Sequence, residues 1–215
     1  MSKILVTPID YMGTDLTVVN AARVSFNKKH ETFQEKDEGL IKYLAKHKHI
    51  SPFGHCFASF HVKAPIFIAR QLVKHKFLRW NEVSRRYVDD APEFYAPNGW
   101  RARAKNAKQG SGSVVSGMLN EQAKYELNEA VSWADKAYHN LLGIGMCPEQ
   151  ARMVLPQNMM TEWYWSGSLD AFADMCRLRL DPHTQYESQL VAQQVDACMS
   201  ERFPISWGAM LDEDW

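Results

Sequence analysis

Residues 65–87 read PIFIARQLVKHKFLRWNEVSRRY, and no other stretch of the 215 residues gathers so many anion-binding and proton-handling groups. Ile66, Ala69, Leu72 and Val73 recur at helical spacing, while Arg70 and Lys74, four apart, share another face. Pro65 suits the first helical position, where its missing N–H has no intrahelical partner to lose. Lys74-His75-Lys76 reads as the close of that helix, with positive charge at the negative end of the dipole. Residues 80–87 read as extended, which puts Glu82, Ser84 and Arg86 on one side and Val83 and Arg85 on the other. A carboxylate, a hydroxyl and a guanidinium on one surface can bind a phosphorylated, hydroxylated ligand, the arginine gripping phosphate through two N–H groups. The cluster implies a pocket for phosphorylated ligands, one of them a nucleotide. Taken singly, each feature is equally a solvated helix cap or a surface serine. The whole cluster behind an apolar helix is harder to explain that way.

Several elements must hold this stretch in place. Residues 4–6 read as a short strand that Pro8 ends. Residues 15–22 read as a helix capped by Thr14 or Asp15; Ser25 leaves it either as a turn serine or facing a ligand. A polar loop over 27–36 precedes an amphipathic helix over 37–46 with Leu40, Ile41 and Leu44 inward. Residues 56–63 alternate and suit a strand leading into the cluster. Phe94 and Tyr95 return as a strand. Residues 100–117 are basic and then Gly/Ser-rich, either a flexible solvated loop or a mobile flap over phosphate or an aromatic ring. Residues 120–142 form the longest helix, ended by Gly143 and Gly145. Pro148 opens a short helix carrying Arg152, and Pro156 stops it. Residues 158–165 read as an aromatic strand. Ser168 caps a helix over 169–177, and a last helix over 184–203 is stopped by Pro204. Without regular strand–helix alternation the class is α+β. We expect one domain over 1–215, a mostly antiparallel sheet flanked by helices, one of them long, and a flexible loop at about 98–117.

Lys plus Arg and Asp plus Glu each total 25, so no global field draws nucleic acid or a membrane. Cys56, Cys147, Cys176 and Cys198 form no CxxC pair, which argues against a zinc ribbon or disulfide framework and fits a reducing compartment. The first residues hold no apolar run long enough for a signal peptide, and no stretch nears the roughly 20 apolar residues of a membrane span. A soluble cytoplasmic protein is expected. His47, His49 and His55 raise a metal hypothesis, but no carboxylate or cysteine is interleaved and the spacing fits neither HExxH nor a zinc finger. No metal is expected.

His75, Asn81, Glu82, Ser84, Arg86 and Tyr87 resemble the signature of the flavin-dependent thymidylate synthases, RHR followed after four residues by NExSxRY. Met12-Gly13 with Asp15-Leu16, AARVSF from Ala21 and SPFGH from Ser51 match in order, as do FHVKAPIF from Phe60, ARMVLP from Ala151 and LRLDPH from Leu178. The resemblance covers nearly the whole chain except residues 100–117. It implies a homotetramer of α+β protomers with active sites between subunits. It also implies reductive methylation of dUMP to dTMP, with 5,10-methylenetetrahydrofolate as carbon donor and NADPH reducing a bound FAD that delivers hydride. No nucleophilic cysteine is needed.

Carried over residue by residue, the resemblance gives Gln71, Ser84, Arg86 and Arg152 to dUMP, with Lys74, Glu82 and Arg85 lining the same pocket. Arg179 is the catalytic group, beside the uracil and favouring its N3 anion, a task suited to a permanently charged planar cation. Ser84 reads as a phosphate ligand, since no base is evident to activate it as a nucleophile. Ser25, Ser51, Lys74, His75 and Lys76 fall to FAD, together with Glu82, Ser168 and Asp174. His49 and Asn81 lie in the flavin and folate vicinity. Lys74 and Lys76 replace the signature's two arginines, keeping charge but losing the planar fork. Gly54 stands where a flavin-contacting glutamate is common, and Ser168, Asp170 and Asp174 occupy a stretch where Asn, Arg and Asn are frequent. The dUMP side is intact and the FAD side altered.

Three other readings stay open on the residues. One is a related flavin- and folate-dependent pyrimidine nucleotide methylase with another product, such as a hydroxymethyl base. Another is a flavin-binding protein without synthase activity. The third is a nucleic-acid-binding module using residues 74–86, with Phe77 and Trp80 for stacking, which the zero net charge opposes.

Overall fold

The computed structural model describes residues 2–105 and 110–212. Strand β1 (Leu5–Met12) runs past Pro8, where the composition suggested a stop. Proline is tolerated there because β1 is an edge strand, and its register slips between Pro8 and Asp10. Helix α1 (Asp15–Arg23) starts at Thr14, whose backbone N–H donates to Thr17 Oγ1 at 3.0 Å. Asp15 instead accepts from the backbone N–H groups of Ile205 and Ser206 at 3.0 and 2.9 Å. A turn of 3₁₀ helix (Val24–Phe26) leads through a loop to α2 (Glu35–Lys46), which buries Ile41, Leu44 and Ala45.

Strand β2 (Phe57–Pro65) buries Ala58, Phe60, Val62 and Ala64 on one face. It runs directly into α3 (Ile66–Leu72), which is shorter than the apolar spacing suggested. Lys74, His75 and Lys76 therefore lie in a turn beyond the helix instead of closing it. That turn passes through Phe77, a non-glycine residue at φ 65° with an 82% exposed side chain, and enters β3 (Arg79–Glu82). The expected extension to Tyr87 fails. Val83 N–H makes the last ladder bond, to the Glu162 carbonyl at 2.9 Å. The chain then curls on itself, with the Tyr87 and Val88 N–H groups donating to the Ser84 carbonyl at 3.0 and 3.2 Å. Phe94 and Tyr95 make only isolated bridges, to Met159 and Ser2.

The Gly/Ser-rich stretch contains a two-stranded ribbon, β4 (Arg101–Arg103) and β5 (Ser111–Val114). Within the loop expected at 98–117, residues 106–109 lie outside the described residues. Helix α4 (Met118–Gly143) is the longest and buries only Tyr138, leaving Met118, Leu119, Tyr125 and Trp133 exposed. Helix α5 (Pro148–Ala151) opens on proline and passes into a 3₁₀ turn (Arg152–Val154). Strand β6 (Met160–Ser168) sits between β2 and β3 in an antiparallel sheet of order β1-β2-β6-β3. Helices α6 (Leu169–Arg179) and α7 (Tyr186–Arg202) follow. Pro204 ends α7 but also opens α8 (Pro204–Leu211), a helix the sequence reading lacked.

The fold is thus α+β. The buried sheet face packs under α3, α6 and α7, with α1, α2 and α8 completing one core. Phe60 and Trp165 both meet Phe172 edge-on, at 5.2 and 5.4 Å between ring centres. Burying each such ring stabilises the fold by roughly 1.5–3 kcal/mol. Gly167 lets the 73–78 turn lie close on β6: a Cβ there would collide with Leu78 Cδ2 and sit 3.1 Å from the Phe77 carbonyl oxygen.

Candidate functional site

A cavity of about 720 Å³ opens between β3, the start of β6 and the turn after α5. Glu82, Arg85 and Arg152 line it, with Arg70, Lys63 and Thr161. Glu82 is pinned at both oxygens: the Thr161 hydroxyl donates to Oε1 at 2.8 Å and Trp80 Nε1 to Oε2 at 3.1 Å. Lys63 is committed to Glu93 and Glu162 at 2.7 and 3.2 Å. Arg152 Nε donates to the Glu149 carbonyl at 3.2 Å, and Arg85 to the Asp90 carbonyl, which fixes both stems while leaving further N–H groups on each fork. Trp80 reaches Glu82 from two residues away on the same strand, whereas Thr161, which no local spacing singles out, comes to it only through the packing of β3 beside β6.

The cavity lining does not include Gln71, Ser84, Arg86 or Arg179. Ser84 and Arg86, predicted to share a strand face, meet instead across the turn after β3. Arg86 donates to Ser84 Oγ from Nε at 3.2 Å and from its backbone N–H at 3.4 Å. Gln71, on α3, faces α7, where it bonds Gln185 and Ser188.

Arg179, at the end of α6, donates from Nε to His75 Nε2 at 2.9 Å. Burial, then the Arg179 charge, hold the imidazole down at about 4, against the opposite pull of Asp174. His75 is therefore neutral near pH 7, with Nε2 accepting and the ring proton on Nδ1. Burial also lowers the Arg179 guanidinium, which still stays charged, and no carboxylate pairs with it among the described residues.

The residues assigned to a flavin are mostly exposed. Ser25 lies in the 3₁₀ turn between exposed Val24 and Phe26, and Ser51 precedes a second 3₁₀ turn (Phe53–His55). Lys74 and Lys76 are exposed, Ser168 is the residue before α6, and Asp174 pairs with Arg177. His49 is exposed and stacks on Tyr43 at 6.2 Å, and Asn81 lies opposite Tyr164 on β6. Asp170 Oδ1 is buried without a partner among the described residues, 3.8 Å from where a Cβ on Gly54 would stand. FAD needs cations for its diphosphate, hydroxyls for its polar chain and acceptors for its N–H groups. The two lysines, the two serines and the unfilled Asp170 oxygen form a donor and acceptor set that fits. Among the described residues no three His, Cys, Asp or Glu side chains cluster so as to hold a metal ion. No helix among them is long and apolar enough to cross a membrane.

The family model for thymidylate synthase complementing protein matches residues 8–205. The flavin-dependent thymidylate synthase of Thermus thermophilus is 41% identical over 209 residues, 97% of this chain and 76% of the relative. That of Kosmotoga olearia is 39% identical, over 95% of this chain and 88% of the relative. A solved UMP/dUMP methylase, PolB from Streptomyces cacaoi bound with 5-Br dUMP, superposes with a TM-score of 0.89 at 32% identity, covering 97% of this chain and 94% of that one. With its motifs, its fold and nearly its whole length accounted for, the chain belongs to the flavin-dependent thymidylate synthase family.

Proposed function

We propose that the protein makes dTMP from dUMP, with methylenetetrahydrofolate as carbon donor and NADPH as the source of electrons. The observation that carries this reading is Arg179: a half-buried guanidinium whose hydrogen-bonded partner is a neutral imidazole, so its charge remains available to a ligand. Such a cation beside a uracil favours the N3 anion and the electron-rich C5 that must attack the folate methylene. Gln71, Ser84, Arg86 and Arg152 hold the nucleotide, with Lys74, Glu82 and the Arg85 backbone in the same pocket. Ser84 serves as an acceptor and donor to phosphate, since its partners here are Arg86 N–H groups and none is a base.

FAD, when bound and reduced, supplies the hydride. Ser25, Ser51, Lys74, His75, Lys76, Ser168 and Asp174 hold it, with Glu82 at the edge it shares with dUMP. His49 and Asn81 orient the folate against it. We assign a homotetramer with sites at subunit interfaces. Two features support this: the cavity lining lacks Gln71, Lys74, Ser84, Arg86 and Arg179, most of the nucleotide ligands, and α4 leaves its apolar side chains bare. A reducing, cytoplasmic setting suits the four free thiols.

The test is to purify the protein, record its absorption spectrum, and follow NADPH oxidation and dTMP formation with and without dUMP. A flavin spectrum with dUMP-dependent dTMP supports the reading. A colourless protein that forms no dTMP when given FAD overturns it, and flavin without dTMP favours the binding-protein alternative.

A further inference from the structure

Beside Gln71 runs a hydrogen-bonded relay whose direction is set at one end. Glu187 ends in a carboxylate, which accepts and does not donate. Gln185 therefore turns Nε2 to it, at 3.3 Å. Gln185 Oε1 is left facing Gln71, which must meet it with Nε2. Gln71 Oε1 is then taken by the hydroxyl of Ser188, a fully buried residue, at 3.0 Å. Tyr95 also donates to Glu187; burial first, and that carboxylate after it, push its phenol up.

An amide is ambiguous by shape, since a half-turn exchanges donor for acceptor. Here the half-turn would set Gln71 Oε1 against Gln185 Oε1. Turning Gln185 to relieve that would set its oxygen against the Glu187 carboxylate.

We propose that the relay makes Gln71 a donor of fixed polarity, so that the site selects a ligand group that only accepts: a phosphate oxygen or a pyrimidine carbonyl. Gln185 Oε1 holds one Gln71 N–H and the ligand oxygen takes the other. Glu187 and Ser188 are positioning residues, acting through Gln71. The inference rests on the reading that Gln71 contacts dUMP.

The experiment measures dUMP and deoxyuridine binding by calorimetry on the full-length, FAD-loaded protein, with melting temperature beside it. Gln71→Met, which cannot donate, should weaken dUMP about tenfold or more. A loss confined to dUMP assigns the N–H to phosphate, and a loss shared with deoxyuridine assigns it to the base. Gln71→Met binding like wild type would sink the contact itself and with it the reading of Gln71. The relay is tested separately by reversing it. Gln71→Glu sets two acceptors face to face and should lower the melting temperature by roughly 2–4 °C. Adding Glu187→Gln lets the two hydrogen bonds through Gln185 run backwards while Ser188 still donates to residue 71, so stability should return while dUMP binding stays lost. A double variant that is no more stable than Gln71→Glu overturns the relay, as does one that binds dUMP like wild type. Should Gln71→Glu not fold, folding of the double variant supports the relay, and failure of both overturns it.

Discussion

Replacing Arg179 by alanine reaches furthest into the proposed chemistry. The guanidinium is half-buried and its hydrogen-bond partner is uncharged. Two unit charges 4 Å apart interact by about 4 kcal/mol at an effective dielectric near 20. If that interaction grows only as charge develops on the uracil, its loss lowers turnover about 1,000-fold. The fold should persist, since Arg179 belongs to the end of α6 and not to the core. His75 offers an internal gauge. Without Arg179 it loses a positive neighbour, so its pKa should rise from about 4; burial, the larger cause, should still keep it below 6.5. The assays are dTMP formation by chromatography, far-ultraviolet circular dichroism and a proton NMR titration of His75. A variant that makes dTMP within tenfold of wild type, or whose His75 titrates unchanged, refutes the assignment.

Lys74→Arg should hold or improve FAD retention on gel filtration; a marked loss would show that the lysine fits a different pocket. Stability should fall as pH drops from 6.5 toward 4, because over that window the unfolded chain binds a proton that folded His75 refuses, and the fall should end near 4. Urea melts across that range check it, and a His75→Asn variant should flatten the slope. Gly167→Ala should cost about 1–3 kcal/mol, since the new methyl meets Leu78 and the Phe77 carbonyl; a melting temperature equal to wild type would show that the turn can retreat from β6.

Much of the frame was legible because it is written locally. The alternation of residues 57–65 and the long period of residues 118–143 each lie within one element. Errors arose where a partner decides. Pro8 breaks a strand only where a neighbouring strand needs its N–H, and β1, at the sheet edge, has a neighbour on one side alone. Residues 84–87 look extended until β6 stops supplying hydrogen bonds at Val83. The same division holds in the site. Glu82, Ser84 and Arg86 stand close in sequence and were read together. The His75–Arg179 bond joins residues 104 positions apart, and Ser188 reaches Gln71 across 117. No local spacing encodes such meetings; they exist only once α3, α6 and α7 have packed.

Phe77 carries a design lesson. A backbone angle that glycine adopts freely costs a bulky residue about 1–3 kcal/mol, and the ring repays none of it while it stands in water. An engineer optimising heat resistance would replace it first. Glycine there would release the strain of the bend between His75 and Asn81 without emptying any packed space, because the ring fills none.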